Sequence, residues 1–375
     1  MQSTQEKKYK IKTDLNLFLL TVTTLIAIGL VFIYSSSSVY ALEKFGCPHY
    51  FVKKQAFGLF LGIIGMIVAF VLPLKFIKKM TPLIFWGTFL LTGATLITSI
   101  SQTIHGSSRW IKIFGFGFQP SEMLKLAIIM YIAYFISKKQ DNLSSFFNAY
   151  LPVIIIVGAT SLVLLKQPDF GLTVTLATTV FIMLFVAKFN PKHLFFSVLA
   201  LIPSAITLVY LKPYRLKRIV TFLNPWKDPQ GSGFQIIQSL IAIGSGGFWG
   251  VGISNSKQKF FYLPMQHTDF IFSIIAEETG FIGSLGILML FITLFYFGMR
   301  ISWQITDIFS RFTVMGFVAL ISLQAVINLA VATGLVPTKG IGLPFVSYGN
   351  TSLVCSLCMI GLIVNIVYSN AEQKI

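Results

Sequence analysis

Chemically capable side chains are rare in this sequence, and the stretch LPMQHTDFIFSIIAEETGF (263–281) combines several of them. His267, Thr268 and Asp269 stand directly before an apolar run. A carboxylate at the edge of an apolar region is partly desolvated, which raises its pKa towards that of a useful general base. Asp269 is therefore a candidate base, although Thr-Asp before a helix is also a good N-terminal cap. Glu277 and Glu278, two helical turns deeper, point about 100° apart and are candidates for pairing or cavity lining.

The composition is that of a membrane protein. Of 375 residues, 55% are hydrophobic and 11% charged, whereas soluble domains carry about 25% charged residues. Lipid excludes open sheet edges, and barrel strands do not give long continuous apolar runs. The sequence predicts an all-α polytopic membrane protein of about ten transmembrane helices, a single domain over residues 1–375 with a large outer loop at 212–268. The predicted spans are 15–36, 55–74, 80–100, 121–137, 149–165, 170–187, 191–211, 269–299, 312–334 and 351–369.

The distribution of Lys and Arg predicts the orientation. Alternate loops, counted from the N-terminus, hold about twice as many of these residues as the opposite short loops, which places both termini in the cytoplasm. The 212–268 loop then lies outside and is itself basic, with Lys212, Arg215, Lys217, Arg218, Lys227, Lys257 and Lys259. This surplus suggests an anionic ligand such as a lipid-linked phosphate, with an ordinary solvated loop as the alternative.

Other charges are predicted at the outer ends of helices. Glu122 and Lys125 are three residues apart and can pair on one helix face, where they either neutralise each other or serve a ligand. Asp169 opens an apolar run and is expected to cap a helix. Arg109 and Lys339 complete the set. Because charges inside a membrane are costly, all five are candidates for function.

Several other site classes are disfavoured. The four His residues have no metal-ligand spacing, and the Cys355/Cys358 pair lies inside the last apolar run rather than beside a strand. The glycine-rich GSGGFWGVG (244–252) lacks the third glycine of a dinucleotide loop. We expect it to belong to a re-entrant or interfacial segment that packs closely against its neighbours. Nothing in the sequence predicts a nucleic-acid partner.

Four segments together resemble the signatures of the SEDS family, the RodA/FtsW group. They occur in the family's order and spacing and are GSSRWIKIFGFGFQPSEMLKL (106–126), QPDFG (167–171), FLNPWKDPQGSGFQIIQSLIAIGSGGFWGVGISNSKQKFFYLPMQHTDFIFSIIAEETGFIG (222–283) and GLVPTKGIGLPFVSYGNTSL (334–353). The resemblance implies a ten-helix protein of the bacterial cytoplasmic membrane that polymerises lipid II, an undecaprenyl-pyrophosphate-linked disaccharide peptide, at the outer face. It also implies a class B penicillin-binding protein and other division proteins as partners. PTKG (337–340) is more similar to FtsW, the division member, than to RodA.

The resemblance also implies roles for single residues. Asp269 matches the family's proposed catalytic Asp in HTDF. Inverting attack of a sugar hydroxyl on lipid II needs one base and positive charge for the departing pyrophosphate. The implied substrate-binding residues are Arg109, Glu122, Lys125, Arg215, Lys217, Arg218, His267, Thr268, Lys339 and Ser347. The reaction requires no cofactor, since the donor is already activated, although a divalent cation could assist.

Two departures from the family pattern and two competing functions are open at this point. The segment before the last helix is SYGNTS, with Asn350 and Thr351 at positions where the family has Gly and Ser, and Met265 stands where the family tends to carry an acid. A lipid II flippase would also place charges in a membrane cavity, but it should offer them on both sides. An elongation polymerase of the RodA type is the second alternative. A purely structural division scaffold does not explain an acid and bases at one face.

Overall fold

The structure is a computed structural model of the whole chain. It describes residues 2–97, 102–104, 107–113, 116–210, 213–260 and 263–372, without the side chains at 2–8, 102–104, 107–108, 112–113, 116, 204–205, 208–209, 213–215 and 371–372. Each of the ten predicted apolar spans overlaps a helix, although boundaries differ by several residues, as for the third span, predicted at 80–100 and found at Leu74–Ala94. These helices are α1 (Gln2–Phe45), α2 (Tyr50–Val71), α3 (Leu74–Ala94), α4 (Pro120–Lys138), α5 (Leu151–Lys166), α6 (Phe170–Val186), α7 (Pro191–Tyr210), α10 (Ile271–Gln304), α11 (Ile308–Ala332) and α12 (Asn350–Glu372).

The helix lengths confirm a multi-pass membrane protein. Among the described residues, seven helical segments are long and apolar enough to cross a membrane. They are α1, α2, α4, α5 together with the π-helical turn Phe146–Tyr150 before it, α10, α11 and α12. The other three predicted spans form α3, α6 and α7, of which α6 has 17 residues. The predicted outer loop contains two helices, α8 (Pro213–Leu223) and α9 (Phe234–Ser245).

The connection between α3 and α4 contains a small antiparallel sheet that the sequence analysis did not predict. Its strands are β1 (Gln102–Ile104), β2 (Ser107–Ile113) and β3 (Phe116–Phe118), in the order β1-β2-β3. Segments this short leave no trace in a hydropathy pattern that identifies spans of about 20 residues. We call the end of the bundle that carries this sheet and the α1–α2, α5–α6, α7–α10 and α11–α12 connections the site end.

Glycines allow a close contact between α2 and α12. A Cβ at Gly62 would lie 2.4 Å from the side chain of Leu357, and one at Gly361 would lie 2.3 Å from the carbonyl oxygen of Met66. Small residues at such positions let membrane helices approach each other without a gap. The helix pair therefore depends on the absence of side chains at these positions.

Helix α10 is broken at Gly280, whose φ of 65° and ψ of −160° are not helical. The glycine-rich loop after α9 fills the break: the N–H of Val251 donates to the carbonyl of Glu277 at 3.0 Å, and that of Gly252 donates to the carbonyl of Glu278 at 3.1 Å. Returning in the other direction, the N–H of Phe281 donates to the carbonyl of Gly247 at 2.9 Å. The expected close packing of this glycine-rich segment is confirmed.

We expect Gly361→Ala to destabilise the protein by about 1 to 3 kcal/mol, because its Cβ would overlap a backbone oxygen that cannot rotate away. Gly87→Ala on α3 is the matched control, since a Cβ there meets no atom within 4 Å and alanine is the better helix former. Melting temperatures in one detergent measure both changes. Equal melting temperatures for the two variants would contradict this account of the α2–α12 contact.

Candidate functional site

The three residues His267, Thr268 and Asp269, which we call the HTD turn, are held at the site end by their backbone carbonyls. The N–H of Tyr348 donates to the carbonyl of His267 at 2.9 Å. The hydroxyl of Ser347 donates to the carbonyl of Thr268 at 2.6 Å. The segment before α12 therefore fixes the turn through main-chain atoms and leaves the Asp269 side chain available.

The third carbonyl is held from α11. The Nδ2 group of Asn328 donates to the carbonyl of Asp269 at 2.8 Å and to that of Ile341 at 2.7 Å. Asn328 thus ties the HTD turn to the loop that contains PTKG. On the other side of that loop, a Cβ at Gly340 would lie 3.5 Å from Oδ2 of Asp269, so the carboxylate lies directly against the loop.

The carboxylate of Asp269 is partly buried and accepts no hydrogen bond from the described residues. Burial raises its pKa to about 6, since the charged form loses hydration. The positive charges of Arg218 and Arg109 oppose this rise, and the negative charge of Asp169 adds to it. The fold therefore brings together charges that are separated by up to 160 positions in the chain.

Arg109, on β2, holds the turn that precedes α6. Its Nε donates to the carbonyl of Gln167 at 2.8 Å, its Nη2 to that of Pro168 at 2.6 Å, and its Nη1 lies 3.1 Å from Oδ2 of Asp169. The other oxygen of Asp169 accepts from the N–H of Leu172 at 3.1 Å, which confirms the predicted helix cap. Arg109 thus positions this turn, and all three of its guanidinium nitrogens contact it.

The loop of PTKG (337–340) lies between this turn and the HTD turn. The ammonium of Lys339 lies 5.3 Å from the ring centroid of Phe170, and burial lowers the pKa of Lys339. On α8, Nη1 of Arg218 donates to the carbonyl of Thr338 at 3.1 Å. Two cations predicted for substrate binding therefore lie on or against this loop, and the charge of one of them, Arg218, acts on the carboxylate of Asp269.

The predicted pair of Glu122 and Lys125 forms an ion pair of 2.6 Å at the start of α4. The side chain of Lys125 is 2% exposed, so its charge is neutralised inside the protein. Both charges act on the carboxyl group of Asp169. The pair therefore lies beside the candidate site, close enough for its two charges to act in opposite directions on the pKa of Asp169.

His267 and Thr268 serve the turn itself in this structure. The ring of His267 packs against Phe51, with centroids 4.4 Å apart, and burial lowers its pKa to about 4, which keeps the imidazole neutral near pH 7. The hydroxyl of Thr268 donates to the carbonyl of Met265 at 3.1 Å. Among the described residues nothing bonds to Nδ1 of His267, which is buried.

Two further basic residues were predicted for substrate binding, Lys217 and Arg215. Lys217 lies 3.8 Å from Asp228 on the exposed surface of the α7–α10 connection, which directs its ammonium towards a loop carboxylate. The side chain of Arg215 lies outside the described residues. The roles of both in substrate binding stay predictions.

Sequence reasoning missed the amides that fix the site. Besides Asn328, Gln55 on α2 accepts from the N–H of Gly349 at 3.1 Å and donates to the carbonyl of Ser347 at 3.4 Å. A polar amide inside an apolar helical run was the available signal, because such a group needs a buried partner. Across the described residues no group of three or more His, Cys, Asp or Glu side chains is arranged to hold a metal ion.

The geometry thus combines one desolvated carboxylate with nearby cations at one end of a membrane bundle. Such a site can remove a proton from a hydroxyl and stabilise a departing anion.

The chain is similar to known proteins over almost its whole length. Residues 15–372 match the model of the FtsW/RodA/SpoVE family, described as cell cycle proteins. The chain is 44% identical to a protein named probable peptidoglycan glycosyltransferase FtsW of Geobacter sp. (strain M18), over 93% of this chain and 95% of that one. It is 41% identical to stage V sporulation protein E of Bacillus subtilis (strain 168), over 95% and 97%.

Solved structures agree with this result. A chain from a study of the structural coordination of polymerization and crosslinking by a peptidoglycan synthase complex superimposes with a TM-score of 0.79 at 28% identity, over 94% of this chain and 97% of that one. The rod shape determining protein RodA of Thermus thermophilus shares the fold, with a TM-score of 0.69 at 24% identity over 94% and 96%. The chain belongs to the FtsW/RodA/SpoVE family.

Proposed function

We propose that this protein is a peptidoglycan glycosyltransferase that polymerises lipid II at the outer face of the bacterial cytoplasmic membrane during cell division. The observation that carries the proposal is the anchored HTD turn, which presents a desolvated carboxylate, without a hydrogen bond from any described residue, to nearby cations. The names of the relatives support the activity, and FtsW in those names supports the division role over elongation.

In the proposed reaction Asp269 takes the proton from the 4-hydroxyl of the acceptor sugar as its oxygen attacks the anomeric carbon of the donor. The bond from that carbon to the pyrophosphate oxygen breaks with inversion, so an α-linked donor yields a β-1,4 glycan. Undecaprenyl pyrophosphate leaves with the electron pair. We assign Arg218, whose charge acts on Asp269, to neutralise the charge of the pyrophosphate, with Lys339 on the adjoining loop as the second candidate. Arg109 acts by holding the Asp169 turn.

The proposal includes a partner and an orientation. We infer a class B penicillin-binding protein as the crosslinking partner, together with other division proteins, since a structural relative comes from a complex that coordinates polymerisation with crosslinking. Both termini face the cytoplasm in this proposal, because the Lys and Arg bias of the loops favours that side.

A lipid II flippase is the competing function. A transporter must offer polar groups along its path through both halves of the membrane, whereas Asp269, Arg218, Arg109 and Lys339 all lie at the site end. The position of these charges favours the polymerase. Asp269 variants assayed for both polymerisation and lipid translocation separate the two functions.

With purified protein and lipid II, alone or with the penicillin-binding partner, we expect Asp269→Asn and Asp269→Ala to lose at least about 10²-fold in glycan polymerisation. Their melting temperatures should change little, because no described residue donates to this carboxylate. Asp141→Asn, an exposed acid in the α4–α5 connection, should retain full activity. Glycan synthesis by a folded Asp269→Ala protein would sink the assignment, and a loss of translocation alone would favour the flippase.

The activity should also depend on pH through Asp269. A general base works when ionised, so with a pKa of about 6 kcat/KM should fall as the pH drops through about 6 and level off above it. Because the charge of Arg218 lowers this pKa, Arg218→Gln should move the falling limb to higher pH. A limb that stays in place in Arg218→Gln, or that lies near the ordinary Asp value, would contradict the assignment.

A further inference from the structure

Two buried carboxylates lie at the far end of the short helical segment that begins after the HTD turn. Glu277 and Glu278, each 1% exposed, occupy the last turn of α10 before its break at Gly280. Glu278 accepts from the hydroxyl of Ser35 on α1 at 2.6 Å, and Glu277 accepts from the hydroxyl of Ser256. These acids are structural in the fold, and the proposed reaction does not use them.

Lys259 supplies the positive charge of this cluster. Its ammonium lies 3.4 Å from Oε1 of Glu278, and the two side chains are 4% and 0% exposed. It also donates to the carbonyl of Ser254. Because a buried charge that loses its partner is strongly unfavourable, this ion pair locks residues 254–259 onto α10 and α1.

The cluster is linked directly to the HTD turn. The amide of Gln266, the residue before His267, donates to the carbonyl of Lys259 at 3.0 Å and to that of Ser36 at 2.7 Å. Lys259 therefore bonds to α10 through its ammonium and to the start of the HTD turn through its carbonyl. The ion pair, the bond to Gln266 and the chain itself thus connect the two ends of the first segment of α10, Asp269 before its start and Glu278 at its end.

We propose that Lys259 is a positioning residue for Asp269, acting through Gln266. Tyr348, Ser347 and Asn328 hold the carbonyls of the turn from one side. The Lys259–Gln266 link holds the chain that enters the turn from the other. A carboxylate that must meet an acceptor hydroxyl at hydrogen-bond distance loses rate when it is displaced by about 1 Å, so both constraints are needed.

The role rests on the proposed function, and the test separates the two. In lipid II polymerisation, Lys259→Met should lower kcat by about 10²-fold, with KM for lipid II within about twofold because the ammonium lies away from the substrate cations. Lys259→Arg, which keeps the charge, should recover most of the rate. Lys53→Met, an exposed lysine on α2, should match the wild type.

A double-mutant cycle tests the path through Gln266. Gln266→Leu alone should lower kcat by a similar factor. Adding it to Lys259→Met should lower kcat little further, because the two changes interrupt the same path from Glu278 to the HTD turn at different points. The double variant Lys259→Met with Glu278→Gln removes both buried charges together. It leaves no unpaired buried charge from this ion pair that would unfold the protein. Melting curves and size-exclusion profiles identify the folded variants.

The outcomes are distinct. Wild-type protein that makes no glycan, with or without its partner, refutes the proposed function. Wild-type protein that polymerises lipid II while the folded Lys259→Met with Glu278→Gln variant keeps full kcat overturns the positioning role. Independent, multiplying losses in Lys259→Met and Gln266→Leu overturn the path through Gln266.

Discussion

The candidate site depends on three hydrogen bonds to consecutive backbone carbonyls, those of His267, Thr268 and Asp269. Their donors come from the segment before α12 and from α11. A carbonyl without a protein donor would need a hydrogen bond from water, and that water would hydrate the nearby carboxylate of Asp269. Since the anchors use only main-chain acceptors, the turn is held in place while its carboxylate accepts no hydrogen bond from the part of the chain that the structure describes. This combination allows burial to raise the pKa without a fixed hydrogen bond to offset it.

A second constraint is the break in α10 at Gly280. An interrupted helix inside a membrane bundle exposes backbone groups, and these must be satisfied by protein. The loop after α9 satisfies them with its own N–H and carbonyl groups, and the close approach requires Gly250 and Gly280, both with positive φ. The break leaves a short first segment of α10 between Asp269 and Gly280. Buried groups on the α7–α10 connection can therefore fix both ends of that segment.

The charged residues divide into those that act on each other and those that face the site. Arg109 and Asp169 pair to fix the turn before α6, and Glu122 and Lys125 neutralise each other on α4. All four residues were predicted near the outer helix ends, and the cap at Asp169 and the pair on α4 were predicted correctly. The contact between Arg109 and that turn joins elements 58 positions apart, which no local pattern in the sequence indicates.

The sequence by itself determined the membrane class, the positions of the ten apolar helices and the family, because apolar runs and long ordered signatures are properties of the chain itself. It also singled out Asp269 by its place at an apolar edge. The tertiary structure alone decided which polar groups hold that residue. Asn328, Gln55 and Gln266 lie in or beside apolar runs, and their partners are backbone atoms up to almost 300 positions away. Such bonds depend on how helices pack, and packing brings together residues that sequence spacing keeps apart.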